Sequence, residues 1–560
     1  MSRKQILAVL LALIMVFCLA GCGSQTEKEP TVNTAVNKTV TTLQTGQTLT
    51  CVRNADAEKM EKISGDERTI YVGAYGDNYV TSTLAAVGYN NVIAVSCIYD
   101  TLFSKDYGTG EIKPLIAESY EFIPDDDGVG TTLHVVIRKE AHFQSGEPIT
   151  AEDCYYATID RVVNVGTVRS YLGSTVDVEN SYFEGDYDLY IKLKEYNNTV
   201  VGFLTALVVQ VSNHSFEQTA TDNDMWDNVD GSGPFIVEEQ ISGESVLLKV
   251  DDNYWGWGIV AERPNYDYLK VRFYTDSTVM MIDYKNGVLD CCLGPNSVDV
   301  SHLLEEGLEH NITRVISTGN YTVMCLPTYN KVFEDLRVRE ALFCAIDTEG
   351  IAKAAYGDLG ITMNAYVSSM APYRKEYQVN RYDPERAAQL LKEAGIKEGQ
   401  LELYTVVAAN DTNGVTLAEL IRSFLADVGI TLKIDTFDFP TALSMQRGGQ
   451  VDLCLTTFYT SNGDISGCLV QLNEGSYNQA AWVTQLDEEL AAKMHAGLIT
   501  DDKAEAEELY GWIQDWIDEN MWYLPIVETN AGFVCRDYIN ADGIFELMHG
   551  NDIRNICIVE

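Results

Sequence analysis

Positive charge is scarce in this chain: 39 lysines and arginines stand against 83 aspartates and glutamates, a formal net charge of −44 at pH 7. Such a surface repels a phosphate backbone and excludes nucleic acid as a partner. The charge itself reads as a solubilising surface. The usual marks of catalysis are also missing. There is no G-x-S-x-G, no H-E-x-x-H, no phosphate-cradling Walker loop and no dinucleotide-binding G-x-G-x-x-G. Seven histidines, at 134, 142, 214, 302, 310, 495 and 549, are scattered, and none pairs at the spacing with which a helix holds a metal. The expectation is a protein that is not an enzyme, with no cofactor and no metal. A glycosidase needs only two carboxylates brought together by folding, so a surface hydrolase stands as an alternative.

Paired cysteine motifs are lacking as well. No C-x-x-C occurs, and beyond Cys18 and Cys22 eleven cysteines remain, an odd number at irregular spacing. Cys154, Cys325, Cys344 and Cys454 sit among apolar residues, where a small hydrophobe serves. Most are expected to be buried thiols, which in an exported chain points to a reducing or anaerobic habitat.

Long apolar runs are reduced to one. Arg3 and Lys4 precede an uninterrupted stretch from Ile6 to Ala20, followed by Leu19-Ala20-Gly21-Cys22 across its end. Fifteen residues fall short of the roughly 20 that span a bilayer, so residues 1–21 are expected to be a cleaved signal peptide. Cys22, behind small residues, is the expected lipidation site and would anchor the chain to the outer face of the cell membrane. Residues 22–66, polar and rich in Thr and Asn, are expected to form a tether, with enough alternation at Thr39–Val52 for a short strand.

The body is long enough for several hydrophobic cores. In Thr131–Val162, Leu133, Val135 and Ile137 alternate with His134, Val136 and Arg138, a strand with one buried face. Ser145-Gly146-Glu147-Pro148 then turns the chain, and Thr150 with Asp153 forms a capping box for a helix to about Val162. Gly231–Gly256 reads as a hairpin between Gly233-Pro234-Phe235 and Asn253-Tyr254-Trp255, with Trp255 in the core. Asp335 caps a helix whose Val338, Ala341, Leu342, Ala345 and Ile346 share one face, and Asp383-Pro384 starts another that ends at Gly395. Strand and helix alternate from Leu401 to Phe458, predicting a largely parallel sheet. A last helix carries Leu509, Trp512, Ile513, Trp516 and Ile517 on one face.

Four of these stretches resemble the solute-binding proteins of family 5, the extracytoplasmic receptors of ABC importers. They are Arg138 to Asp153, the Gly-x-Gly-Pro to Asn-x-x-Tyr-Trp bracket of Gly231 to Trp255, Arg337 to Asp347, and Tyr382-Asp383-Pro384. The resemblance implies an α/β, periplasmic-binding-protein-like fold (type II, cluster C): two main lobes plus an extra α/β subdomain, with ligand in the interlobe cleft. Lobe I would comprise residues 67–97, 225–320 and 525–560, lobe II residues 98–224, and lobe III residues 321–524. It implies a monomeric, extracytoplasmic receptor that captures peptides by lobe closure and delivers them to a membrane permease. A receptor for a non-peptide solute such as an oligosaccharide, and a ligand sensor, are the alternatives.

In peptide-binding members, the loop after the strand matching Val451–Phe458 begins with Trp and carries an Asp three residues on that pairs with the ligand's α-ammonium. Here Phe458 replaces the Trp, and Ser461 stands where the Asp would be. A serine accepts a hydrogen bond but brings no charge, so Asp464 is the candidate to take over, with Asn462 beside it. Tyr75, after the first strand of the body, and Tyr477 and Trp482, after the selecting loop, complete the expected ligand-binding set.

Overall fold

The structure is a computed structural model of the 560-residue chain. It describes residues 36–42, 48–54, 68–75, 96–105, 111–126, 130–164, 172–197, 199–205, 211–215, 229–241, 243–306, 308, 310–409, 411–458, 465–469, 472–473, 483–540 and 556–558. Cys22 and the signal segment lie outside the described residues.

The architecture turns on two long antiparallel strands, Asn311–Cys325 and Tyr523–Arg536, which pair from Asn311 opposite Arg536 to Cys325 opposite Tyr523. They run through the middle of an eleven-stranded sheet. On one side lie Cys291–Leu293, Thr69–Tyr75, Tyr268–Tyr274, Ser245–Val250 and Phe235–Ile241, in that spatial order, and on the other Thr48–Asn54 and Val36–Thr42. Those last two strands fall inside the 22–66 segment read as a tether, and Thr48–Asn54 pairs with the long strand at Ile312 to Ile316.

Each half of the long pair serves a different core. The Asn311/Arg536 half contributes Ile312, Phe533 and Cys535 to a core with Ile70, Val72, Leu248, Leu269 and Val271. The Cys325/Tyr523 half contributes Val323, Met324, Leu524 and Ile526 to a larger core with Phe343, Leu403, Leu417 and Ile513. Between the halves the register slips: Ser317 faces Asn530, but the next pair is Asn320 with Thr529. That bulge bends a strand where a regular ladder would run flat. Gly319 sits in it at φ +72°, a conformation that L side chains rarely adopt. A β-carbon there would come 2.5 Å from the Met370 sulfur.

The larger core is built largely as its sequence pattern predicts. Asp335 accepts from the Arg337 N–H and starts the helix Leu336–Ala345. Asp383 caps Pro384–Glu393, and Gly395 closes it at φ +81°. In Lys503–Asn520 the buried face carries Tyr510, Ile513, Trp516 and Ile517, with Tyr510 rather than Leu509 at its inner end. The parallel sheet expected here is smaller than predicted. Glu402–Ala408 and Thr431–Phe437 pair in parallel, but Cys454–Phe458 joins Asn311–Cys325 and runs antiparallel to it. So short a strand, Cys-Leu-Thr-Thr-Phe, fits either partner, and here the edge of the crossing pair takes it.

A third core lies under a four-stranded antiparallel sheet, Ala117–Pro124, Thr131–Ile137, Asp188–Leu193 and Tyr182–Glu184. Leu133, Val135 and Ile137 are fully buried, as their alternation predicts. The capping box is present: Thr150 accepts from the Asp153 N–H while Asp153 accepts from the Thr150 N–H. The single helix expected to about Val162 is instead interrupted: it passes from Ala151–Tyr155 through a π turn at Tyr156–Asp160 to Arg161–Asn164. The Thr158 hydroxyl donates to the Cys154 carbonyl at 2.7 Å, a back-bond of the kind that bends helices.

Tyr254 and Trp255 bind this core to the rest. Both rings are buried in it, Tyr254 donating to Asp100 at 2.7 Å and Trp255 to the Ser232 carbonyl at 3.1 Å. Glycine is required beside them, because a β-carbon on Gly231 or Gly233 would meet the backbone oxygen of Ile98 or Cys97 within 2.7 Å.

Candidate functional site

Two strand ends converge on the bulged middle of the long pair. Thr69–Tyr75 runs parallel to both its neighbours, Tyr268–Tyr274 and Cys291–Leu293. The chain therefore leaves its carboxyl end at a point where crossovers diverge, the usual ligand position in open α/β sheets. Cys291–Leu293 runs antiparallel to the second long strand, from Cys535 toward Phe533, and the Gly294 N–H then donates to the Gly532 carbonyl at 3.1 Å. From the opposite direction, Cys454–Phe458 runs from Cys325 toward Tyr321, which in turn faces Glu528. The Gly532 and Glu528 levels are four residues apart, about 13 Å of strand. The bulge lies between them.

Of the residues expected from sequence, Tyr75 ends its strand half-buried, opposite Tyr274 and against the small core around Met280 and Tyr284. Phe458 is at the end of its strand but only 3% exposed. Its ring lies edge-on to Tyr321 at 5.7 Å and tilted against Tyr523 at 5.9 Å. These are core contacts, and its place is that of an anchor that precedes residues 459–464. Ser461, Asn462, Asp464, Tyr477 and Trp482 lie outside the described residues.

The structure adds polar groups at the crossing that the sequence reading passed over. Glu528 is 1% exposed and accepts from the Ser369 N–H at 2.7 Å and from the Ser369 hydroxyl. Tyr321 donates to the Tyr366 carbonyl at 3.1 Å, and burial, followed by the neighbouring Cys468, pushes its pKa well up, so it stays a donor. Thr529 donates to the Asn320 carbonyl at 3.3 Å. The signal was present: Glu528-Thr529-Asn530 interrupts the apolar strand that begins Tyr523-Leu524-Pro525-Ile526-Val527. Glu528 and Tyr321 thus tie Ser369 and Tyr366 to the crossing. Among the described residues no helix is long and apolar enough to cross a membrane, and no group of three or more His, Cys, Asp or Glu is placed to hold a metal.

Comparison with known proteins places this arrangement. Residues 111–479 match the family described as bacterial extracellular solute-binding proteins, family 5 Middle. The chain is 24% identical over 446 residues to the dipeptide-binding protein of Escherichia coli (strain K12), covering 74% of this chain and 80% of that one. It is 23% identical over 507 residues to heme-binding protein A of Haemophilus influenzae, covering 85% and 90%. The fold is shared with the dipeptide-binding protein of Pseudoalteromonas sp. SM9913, solved in complex with Met-Leu. The TM-score is 0.73 at 18% identity, over 88% of this chain and 100% of that one.

Proposed function

The chain belongs to the bacterial extracellular solute-binding proteins of family 5, and from that premise we propose that it is a lipid-anchored receptor that captures peptides between its lobes and delivers them to an ABC permease. In this reading lobe I is 67–97, 225–320 and 525–560, lobe II is 98–224 and lobe III is 321–524, with Cys22 as the anchor. The observation that carries it is the convergence of the Tyr75 and Phe458 strand ends on a bulged two-strand crossing. A crossing of two strands lets the lobes rock, and a ligand bound by both shifts the population toward closure. The work of this chain is binding and release, without a chemical step.

The strand ending at Phe458 runs toward the crossing, and Ser461, Asn462 and Asp464, which follow it in sequence, are proposed to meet the ligand, with Tyr75, Tyr477 and Trp482 as further walls. A peptide needs its ammonium answered, and Asp464 is the acid within that loop. Ser461, at the position of the family's ammonium-binding acid, favours a second reading in which the solute carries no α-ammonium. Native mass spectrometry of protein purified from rich medium separates the two, since a closed cleft retains its cargo. Co-purified peptides are expected, and Asp464→Ala is expected to weaken their binding roughly 10- to 100-fold, the range for loss of a charge-assisted hydrogen bond. A non-peptide cargo, or peptide affinity untouched by Asp464→Ala, removes the peptide assignment.

A further inference from the structure

Ten described cysteines carry thiols that are not joined in disulfides, nine of them buried. Two of them, Cys325 and Cys454, face each other as direct partners on antiparallel strands. Directly opposed residues project from the same face of a sheet, with α-carbons about 4.5 or 5.5 Å apart depending on the hydrogen-bonding pattern. Both spacings fall within the 4.4–6.8 Å, approximately, that a disulfide bridges. Their exposures are 1% and 0%.

The place of the pair gives it a consequence. Cys325 ends the first long strand, and Cys454 begins the strand whose other end, Phe458, launches residues 459–464. A bond between them would staple that launching strand to the crossing. It would also close a loop containing the helices Leu336–Ala345, Pro384–Glu393 and Thr412–Asp427, and a long loop is where cross-linking most restricts the unfolded chain.

We propose that Cys325 and Cys454 form a facultative disulfide, made while the chain folds in the presence of a low-molecular-weight disulfide and left as a dithiol when it folds under reducing conditions. One cysteine thiolate attacks the small disulfide, forming a mixed disulfide and expelling one thiol. The second cysteine thiolate then attacks the protein sulfur of that mixed disulfide, expelling the other thiol and giving the Cys325–Cys454 bond, with one proton lost from each cysteine and one gained by each departing thiolate. The window is during folding. Once buried, both thiols are pushed up in pKa, Cys454 to about 12, by loss of solvent around the thiolate. The finished fold therefore shields whichever state was made.

The test is to refold the full chain in parallel in dithiothreitol and in a reduced/oxidised glutathione mixture, alkylate in denaturant, and map peptides without reduction. Expected from the glutathione arm are a cross-linked peptide joining Cys325 to Cys454, a loss of two alkylated sites, and an upward shift of the thermal midpoint relative to the dithiothreitol arm. Cys325→Ser and Cys454→Ser should each remove the cross-link and the shift. Glutathione added after folding should give neither. Should a serine variant fail to fold, the wild-type map decides alone. Both cysteines alkylated in the glutathione arm, either one bridged elsewhere, or either one left bearing glutathione would overturn the proposal.

Discussion

The four-stranded sheet around Leu133 and the long pair around Gly319 are both antiparallel β-structure, yet the chain encodes them differently. In the first, every partner comes from residues 117–193, the two central strands alternate inside and outside, and a capping box fixes the helix that follows. In the second, Asn311 must find Arg536 and Cys325 must find Tyr523, across a bulge. Local patterning decides the one, and closure of a very long loop decides the other. The crossing is thus where sequence is least informative and where one strand pair serves two cores.

The largest expected effect follows from that contrast. Gly319→Val places a β-branched residue at φ +72°, with its β-carbon against Met370 and Ser368. Backbone strain of roughly 1–3 kcal/mol adds to overpacking of a further 1–3 kcal/mol or so. Denaturant unfolding should show the loss, and hydrogen exchange should place it in Asn311–Cys325 and Tyr523–Arg536 while Thr131–Ile137 keeps its protection. An unchanged midpoint would mean the bulge tolerates a side chain and the crossing is softer than its geometry implies.

Next in size is Leu133→Ala, which empties a fully buried position under the local sheet and should cost about 2–5 kcal/mol. Here the comparison can be broken. If the sheet from Ala117 to Leu193 is a separate cooperative unit, its amides lose protection and the crossing strands keep theirs. Equal loss in both would show that Tyr254 and Trp255 couple the cores into one unit.

These contrasts also explain what could be read in advance. Leu133, Val135 and Ile137, the Thr150 capping box, Asp335 and Asp383-Pro384 all act within a few residues, and the structure has each where its local chemistry puts it. Cys454–Phe458 was legible as a strand but not in its pairing, because a run of five residues carries no sign of which neighbour it takes. Phe458 as a ligand platform came from a one-residue substitution in a loop, whereas its burial depends on Tyr321 and Tyr523, far along the chain. Glu528 was missed because attention to apolar periodicity passes over a single acid in a strand. A carboxylate buried at a crossing becomes informative only when Ser369 is seen against it.

The smallest effect probes a local device inside the long-range region. Asp487 caps Glu488–Ile499 by accepting from the Glu489 and Leu490 N–H groups at 2.9 and 3.1 Å, and it also accepts from the Trp516 indole at 2.6 Å. One carboxylate thereby joins two helices. Burial alone would raise its pKa, but the hydrogen bonds from Leu490, Trp516 and Glu489 outweigh it and hold the carboxyl below its ordinary value. With the folded pKa below the unfolded value of about 3.9, the stabilisation is complete above that pH and disappears as pH falls through the folded value. Asp487→Asn keeps a cap acceptor and loses the charge, so it should cost no more than about 1 kcal/mol at pH 7. The gap between variant and wild type should narrow as the solution is acidified through the carboxylate range. Urea titrations at a series of pH values would read it. A gap that stays constant would show that Asp487 acts by shape alone, making this cap as indifferent to charge as the apolar pairing around it.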